Sequence, residues 1–130
     1  MKELKNLKTF EDACKIEGLD PEKVIPDFSC YPVQDHSAMI AHAKLVIIAR
    51  AANRLANKGV EWKPDWTNNN QWKYYPWFEM YRGSSGFRFG DFDLWHSYSY
   101  VGSRLCFLSR EVGEYVATTF LDLYRSYFFN

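Results

Sequence analysis

The clearest pattern of apolar and polar positions lies between Ser37 and Asn57. This stretch is rich in Ala, Leu and Ile, contains neither Gly nor Pro, and runs into Lys58-Gly59, a typical C-terminal stop. At about 100° per residue, its polar side chains fall on one side of a helix. The pattern therefore predicts a long central helix over residues 37–58 with one polar, basic stripe, formed by His42, Arg50, Asn53, Arg54, Asn57 and Lys58.

Helical signals also occur before this segment. Thr9 followed by Asp12 resembles a capping box that opens a short helix, Phe10 to Ile16, and Gly18 ends it. Asp20-Pro21-Glu22 has the order of an N-cap followed by proline at the first helical position, which predicts a second helix. We therefore expect a helical hairpin over residues 1–27.

In the C-terminal part of the chain, the spacing of apolar and polar residues changes. Residues 71–81 and 86–92 are rich in aromatic residues and flank a short Gly/Ser turn, which is typical of two antiparallel strands. Pro76 is expected to move the first strand to a sheet edge or to split it, and residues 104–108 are a candidate third strand, so residues 71–108 form the sheet region. Ser109 precedes a helical pattern over residues 110–127. The order predicts a single α+β domain over residues 1–130.

The sheet region contains an unusually dense block of aromatic residues. Fifteen Trp, Tyr and Phe residues occur within the 46 positions from Trp62 to Phe107. In a strand with period two, Trp72, Tyr74 and Phe78 share one face, which we expect to pack on the central helix. The opposite face, with Tyr75, Trp77 and Tyr81, then suits the stacking of bases or sugars, or an interface between subunits. The sequence leaves these two uses open.

The basic stripe of the central helix is the second candidate feature. Arg50 and Arg54 are four residues apart, so both guanidinium groups lie on one side of the helix and are candidates for gripping a phosphate or carboxylate. Residues 1–35 carry eight acidic residues against five lysines. The alternative is therefore that the acidic N-terminal region pairs with the stripe, or that the stripe is simply solvated.

Charge and cysteine content narrow the classes of function. Sixteen basic and sixteen acidic residues give a net charge of zero, which argues against a dedicated nucleic-acid-binding protein. Three cysteines without a CxxC motif are typical of free, buried thiols in a reducing cytosol. No apolar stretch is long enough for a signal peptide or a membrane span. We therefore expect a cytoplasmic protein with no membrane partner.

Candidate catalytic and metal-binding residues are weakly organised. Asp91, Asp93 and His96 form one loose set, and Asp35, His36 and His42 form another, but neither has an established metal-ligand spacing. The sequence contains no GxSxG nucleophile elbow. We predict no metal and no cofactor, and we favour binding over catalysis.

Several strings resemble those of a known family. WKPDWTNNNQWKYYPWFEM, SSGFRF and SYVGSRLCFLSREVGEYVATTFLDLYRSYF, together with the N-terminal FEDACKIEGLDPE, are similar to short proteins of tailed phages and prophages of gut Bacteroides-type bacteria. The KYYPWF and VGSRLCF motifs are the most specific. The resemblance implies a phage or mobile-element origin and an accessory role, and it implies no activity, cofactor or site residues.

These features together favour a phage-encoded, non-enzymatic accessory protein that sequesters a small anionic, nucleotide-like ligand in the host cytoplasm. We also expect a homo-oligomer, because 24 aromatic residues are difficult to bury in one 15.4 kDa chain. The alternatives are a structural or assembly protein of the virion with an aromatic subunit interface, and a small hydrolase or nuclease around Asp91, Asp93 and His96. The expected ligand-binding residues are Arg50, Arg54, Trp72, Tyr75, Trp77, Tyr81, Arg88 and Arg104.

Overall fold

The computed structural model describes residues 3–79, 88–95 and 104–129. Within these ranges the chain forms four α-helices, two β-strands and two short 3-10 turns, Glu3–Asn6 and Val33–Asp35. The predicted α+β class is confirmed. None of the helices in these ranges has the length and apolar character needed to cross a bilayer. The main elements are α1 (Phe10–Glu17), α2 (His36–Ala56), β1 (Lys73–Glu79), β2 (Arg88–Trp95), α3 (Arg110–Thr119) and α4 (Leu121–Phe129).

The first helix, α1, begins and ends as its sequence predicts. The Thr9 hydroxyl accepts the N–H of Asp12 at 3.1 Å, and the Asp12 carboxylate accepts the N–H of Thr9 at 3.0 Å, which completes the capping box. Gly18 ends the helix in the left-handed region with a φ of 71°. The cap and the stop are local features, so they could be identified from sequence alone.

The second arm of the predicted hairpin is a single turn. The N–H of Val24 bonds to the carbonyl of Asp20 at 2.9 Å, but the helix does not continue. The Asp20 carboxylate instead accepts the N–H of Glu22 at 3.0 Å, which offers the backbone a local alternative to helical bonding. Pro26 then removes the next donor and restricts the residue before it. These two effects stop the helix at its first turn.

The central helix, α2, supplies the largest part of the core. It buries Leu45, Ile48 and Ala52 among residues of α1, α3 and α4. Lys58, with a φ of 59°, and Gly59, with a φ of 84°, turn the chain away from the helix, as the sequence predicts. The predicted central helix is thus confirmed.

The C-terminal helical segment is divided at Phe120, whereas the sequence predicted one helix over residues 110–127. Phe120 has φ −112° and ψ 32°, and α4 begins only at the next residue. The hydroxyl of Thr118 bonds back to the carbonyl of Glu114 at 2.8 Å, an interaction that bends and weakens helices. The break has an architectural consequence, because it lets α3 pack on both strands while α4 packs on α2.

The two strands pair in antiparallel fashion, from Lys73 opposite Trp95 to Trp77 opposite Asp91. Beyond Trp77 the register shifts, because Phe78 lies opposite Phe89 and Gly90 is left as an extra residue in β2. The strand β2 begins and ends later than predicted. The turn between the strands, including Tyr81, lies outside the described residues.

The predicted third strand is reduced to one bridge. Tyr74 and Phe107 exchange backbone hydrogen bonds of 3.1 and 2.7 Å. In an antiparallel strand, the backbone N–H and C=O groups of residues two apart point to the same side. Those of Tyr74 point to Phe107 and away from β2, so the backbone groups of Pro76 also point away from β2. The missing N–H of Pro76 therefore costs no bond between β1 and β2. β1 is thus an edge strand of the two-stranded sheet, as Pro76 predicts.

A buried amide joins the helical layer to this bridge. Asn53 of α2, which falls on the polar side of the helix by periodicity, is only 3% exposed. Its amide nitrogen donates to the carbonyl of Cys106 at 2.9 Å, and its amide oxygen accepts the N–H of Leu108 at 3.0 Å. The segment around Phe107 therefore lies between α2 and β1, and the helix that packs on both strands is α3.

Candidate functional site

The start of β1 presents one large aromatic side chain to solvent. Trp72 is 45% exposed, while its neighbour Lys73 is fully buried. Our expectation that Trp72 belongs to the core was therefore wrong. Phe78, expected on the same face, is buried, and its ring lies 4.6 Å from that of Tyr124 in α4. The strand is thus covered at Phe78 and open at its beginning.

Lys73 explains how the start of the strand is fixed. Its Nζ donates to the carbonyl of Asn68 at 2.9 Å and lies 5.2 Å from the ring centre of Trp66. The carbonyl and the ring both attract a cation, and they replace part of the water that the buried ammonium loses. The lysine therefore ties the preceding loop, residues 62–71, to β1.

The loop also has internal hydrogen bonds. The side-chain oxygen of Gln71 accepts the N–H of Asp65 at 2.6 Å, and the N–H of Gln71 bonds to the carbonyl of Asn68 at 3.2 Å. The hydroxyl and N–H of Thr67 donate to the Asp65 carboxylate and, with the nearby charge of Lys73, hold the pKa of that carboxyl below its usual value. These bonds give the chain before Trp72 a defined path.

A second group joins Trp72 from the other end of the sequence. The guanidinium carbon of Arg110, the first residue of α3, lies 6.0 Å from the ring centre of Tyr74. Trp72 precedes Tyr74 by two residues, just before the start of β1. We call Trp72, Tyr74 and Arg110 the Trp72 face. Sequence reasoning missed Arg110, because its contact with Tyr74 depends on the packing of α3 on β1, which are distant in sequence.

The two arginines of the central helix have different surroundings. Arg54 donates to the Glu17 carboxylate at 2.6 and 3.3 Å and to the carbonyl of Gly59 at 3.4 Å. The bond to Glu17 raises the pKa of Arg54, and the Glu17 side chain is only 4% exposed. Arg50 is exposed and has no partner among the described residues. This arrangement matches the alternative in which the acidic N-terminal region pairs with the stripe, and it occupies Arg54.

Other polar groups of α2 are used in packing. The ring of His42 stacks on Tyr127 of α4 at 4.8 Å, and the ammonium of Lys44 lies 5.3 Å from the ring centre of Phe10. Both contacts attach a neighbouring helix to α2. Two members of the stripe, His42 and Arg54, therefore contact neighbouring helices.

The remaining expected site residues are distributed over three places. Tyr75 is half-buried, on the same side of β1 as Lys73, and Arg104 is exposed in the segment that leads to the bridge. The side chains of Trp77 and Arg88 and the whole of Tyr81 lie outside the described part of the chain. Of the expected residues with described side chains, Trp72 and Arg104 are exposed and Tyr75 is half-buried.

The candidate metal ligands are not assembled where the structure describes them. The Nε2 atom of His36 lies 2.8 Å from the carbonyl oxygen of Tyr31. In the described ranges, no group of three or more His, Cys, Asp or Glu side chains is arranged to hold a metal ion. The side chains of Asp91 and Asp93, and the whole of His96, fall outside those ranges.

The thiols differ in exposure. Cys14 and Cys106 are buried, and burial raises the pKa of both thiols, that of Cys106 to about 11. Both are therefore protonated and unreactive at neutral pH. Cys30 is exposed, contrary to our expectation of three buried thiols.

Comparison of the chain with protein-family models, with curated proteins and with solved structures found no match.

Proposed function

We propose that the protein is a phage-encoded, non-enzymatic accessory protein that sequesters a small anionic, nucleotide-like ligand by stacking it on Trp72. The observation that carries the proposal is the 45% exposure of Trp72 directly beside the fully buried Lys73. Burying a large apolar side chain is worth roughly 1.5–3 kcal/mol. The fold forgoes part of this at Trp72, although it fixes the adjacent backbone closely, and a ligand platform accounts for both facts.

Magnitudes indicate how much of the site the Trp72 face can supply. Stacking a base on an aromatic side chain is worth about 1–3 kcal/mol, and a hydrogen bond to a charged group about 1.5–3 kcal/mol. Together these give about 2.5–6 kcal/mol, whereas micromolar affinity needs about 8 kcal/mol. We therefore propose that residues beyond the Trp72 face contribute to the complete site.

The two buried thiols are not candidates for thiol catalysis. Cys14 and Cys106 are buried and protonated, so neither offers a thiolate to a substrate. A small hydrolase or nuclease around Asp91, Asp93 and His96 is the enzymatic alternative. It requires a metal-dependent turnover that Asp91→Ala abolishes.

The proposal is tested by calorimetric titration and melting-temperature measurement against a panel of nucleotides, cyclic nucleotides and ADP-ribose derivatives. A ligand that binds the folded state raises the melting temperature by mass action. Trp72→Ala should reduce the affinity about 5- to 150-fold, the range expected for loss of one stacking contact. Tyr31→Ala is the matched control, because Tyr31 is 44% exposed and lies outside the Trp72 face. If no member of the panel binds, sequestration is refuted.

A second candidate function, a structural or assembly role in the virion, is favoured by the surface at α4. Phe128 is 46% exposed, and its ring lies 5.3 Å from that of Tyr127 and 5.7 Å from that of Phe78. Contiguous aromatic groups of this kind are typical of interfaces between subunits. Light scattering should then show an oligomer that Phe128→Ser dissociates, and mass spectrometry should detect the protein in purified virions.

A further inference from the structure

The central helix α2 begins beside an exposed acidic surface. The 3-10 turn Val33–Asp35 leads directly into α2, and the Nε2 atom of His36 lies 2.8 Å from the carbonyl oxygen of Tyr31, which holds this turn against the first residue of the helix. Val33 is 81% exposed, and Asp35 is exposed beside it. Hydrogen bonds from Ser29 and the charge of His36 lower the pKa of the exposed Asp27 carboxyl, which places Asp27 near the same turn. We call Asp27, Val33 and Asp35 the Val33 surface.

The opposite end of α2 carries a basic surface that also contains an exposed valine. The chain after the helix folds back on its last turn, because the N–H of Gly59 bonds to the carbonyl of Arg54 at 2.9 Å and the Arg54 guanidinium donates to the carbonyl of Gly59 at 3.4 Å. Arg50 is exposed one helical turn before Arg54, on the same side of the helix. Lys58 is exposed, and Val60 is 63% exposed. We call Arg50, Lys58 and Val60 the Val60 surface.

Helix electrostatics explain the charges of these two surfaces only in part. Acidic groups near the N-terminal end of a helix and basic groups near its C-terminal end are both stabilising. Within the described ranges, however, the Asp35 side chain makes no capping bond to α2. Single exposed apolar residues are common on protein surfaces. The indication of a partner is therefore the combination, in which an exposed valine lies beside acidic groups at one end and beside basic groups at the other.

The two surfaces are complementary, but they are too far apart to meet within one molecule. The helix α2 has 21 residues, so its ends lie about 31 Å apart. At physiological salt, exposed charges attract one another over only about 8 Å. The net charge of the chain is zero, so no overall repulsion keeps copies of the protein apart. The matching surfaces can therefore pair between molecules and not within one.

We propose that copies of this protein associate head to tail, with the Val33 surface of one copy against the Val60 surface of the next. In this arrangement the acidic groups of one surface face the basic groups of the other, and the two exposed valines are buried between them. An interface that joins two different surfaces is not closed by a two-fold axis, so addition continues into a ring or a filament. The inference goes beyond the proposed ligand binding and does not depend on it.

Sedimentation equilibrium tests the proposal at protein concentrations up to about 1 mM, the weak end of specific association. The mass of the wild-type protein should rise beyond that of a dimer as concentration increases, and high salt should reduce this rise. Val33→Lys alters one surface, and the double variant Lys58→Glu/Val60→Ser alters the other. Each should weaken association by about 10-fold or more, because the contact between the surfaces loses both apolar and charge complementarity.

Mixing the two variants gives the sharpest test, because each retains the surface that the other has lost. An equimolar mixture should form a dimer with one copy of each and grow no further. Thr119→Lys and Thr119→Glu are the matched controls, since Thr119 is an exposed, β-branched residue of α3 outside both surfaces. These controls should associate like the wild type. Far-UV circular dichroism and the melting temperature check that every variant is folded, so that loss of association reports on the surface.

Several results would overturn the proposal. One is a wild-type protein that stays monomeric over the whole concentration range. Another is an oligomer that Val33→Lys leaves intact, and a third is a mixture of the two variants that does not associate. If Phe128→Ser dissociates the oligomer and Val33→Lys does not, the subunits meet through the aromatic surface of α4 instead.

Discussion

Replacing Asn53 should destabilise the fold more than replacing any surface asparagine. Its amide joins α2 to the segment around Phe107 through one donated and one accepted hydrogen bond, to Cys106 and Leu108. Leucine has nearly the shape of asparagine and makes neither bond. Asn53→Leu therefore tests the two hydrogen bonds with little change in volume.

The expected loss follows from the groups that the substitution leaves behind. A buried polar group that loses its partner costs about 1–3 kcal/mol. The bond to the Cys106 carbonyl is buried and incurs this cost in full, whereas the N–H of Leu108 is partly buried and recovers some hydration. Burying leucine in place of an amide offsets part of the loss. We expect a net decrease of about 2–4 kcal/mol in the free energy of unfolding, against a typical total of about 5–15 kcal/mol.

Equilibrium unfolding in urea provides the assay, with far-UV circular dichroism as the signal. The midpoint should fall while the denaturant dependence stays constant, because the area exposed on unfolding hardly changes. Asn57→Leu is the matched control. It lies one turn further along the chain, and its amide makes a single exposed bond to the carbonyl of Val60 at 3.1 Å. We expect this control to lose less than about 1 kcal/mol.

A second substitution separates hydrogen bonding from packing. In Asn53→Asp the ionised carboxylate still accepts from Leu108, but it faces the carbonyl of Cys106 without a proton to donate. Burial raises the pKa of such a carboxyl above its value in the unfolded chain. Between these two pKa values the folded protein binds more protons than the unfolded chain, so the free energy of unfolding falls as the pH rises. This variant should thus recover stability on acidification. If Asn53→Leu lies within 1 kcal/mol of the wild type at constant denaturant dependence, the bridging role is refuted.

Four further predictions each concern a single residue. Tyr124→Phe should be neutral or stabilising by up to about 1 kcal/mol in thermal unfolding, because its buried hydroxyl has no hydrogen-bond partner in the described part of the chain; a marked loss would show that it has one. Thr9→Ala should cost about 1 kcal/mol by removing the cap of α1. The N–H groups of Lys8 and Thr9 lower the pKa of Asp12 in the folded protein. The ionised Asp12 therefore stabilises the fold fully above the pKa of Asp12 in the unfolded chain, and this contribution is lost as the pH falls through the lower pKa of the folded protein. Asp12→Asn should weaken this dependence of stability on acid. Under native conditions a thiol reagent should label Cys30 alone, and rapid labelling of all three thiols would contradict the observed burial.

Local signals in the sequence account for most of the confirmed fold. The capping box at Thr9, the stop at Gly18 and the turn at Lys58-Gly59 act within a few residues, and each occurs as predicted. The long apolar pattern of α2 was equally clear. The break at Phe120 was not, because it depends on a threonine hydroxyl that competes for a backbone carbonyl within an otherwise helical pattern.

The residues that contradict the pattern are polar groups with distant partners. Asn53 falls on the polar side of α2 by periodicity, yet its partners lie 53 and 55 residues further along the chain. Lys73 is fully buried in an alternation that predicts an exposed lysine, because a carbonyl and an indole ring enclose it. Arg110 reaches Tyr74 because α3 packs on β1, a strand that lies more than 30 residues earlier in the chain. Periodicity describes which face a residue occupies and carries no information about which partner covers that face.

The pairing of Asn53 with the segment around Phe107 also affects how molecules of this protein meet one another. The outer backbone groups of a short extended segment are a template on which a strand from another molecule can add. Asn53 bonds two of these groups, at Cys106 and Leu108, with a side chain, and a side chain cannot pass the pairing on to a further strand. The helix therefore closes this side of the extended segment against intermolecular sheet growth without an additional strand. Loss of the amide would leave a protein that is both less stable and more prone to edge-to-edge aggregation.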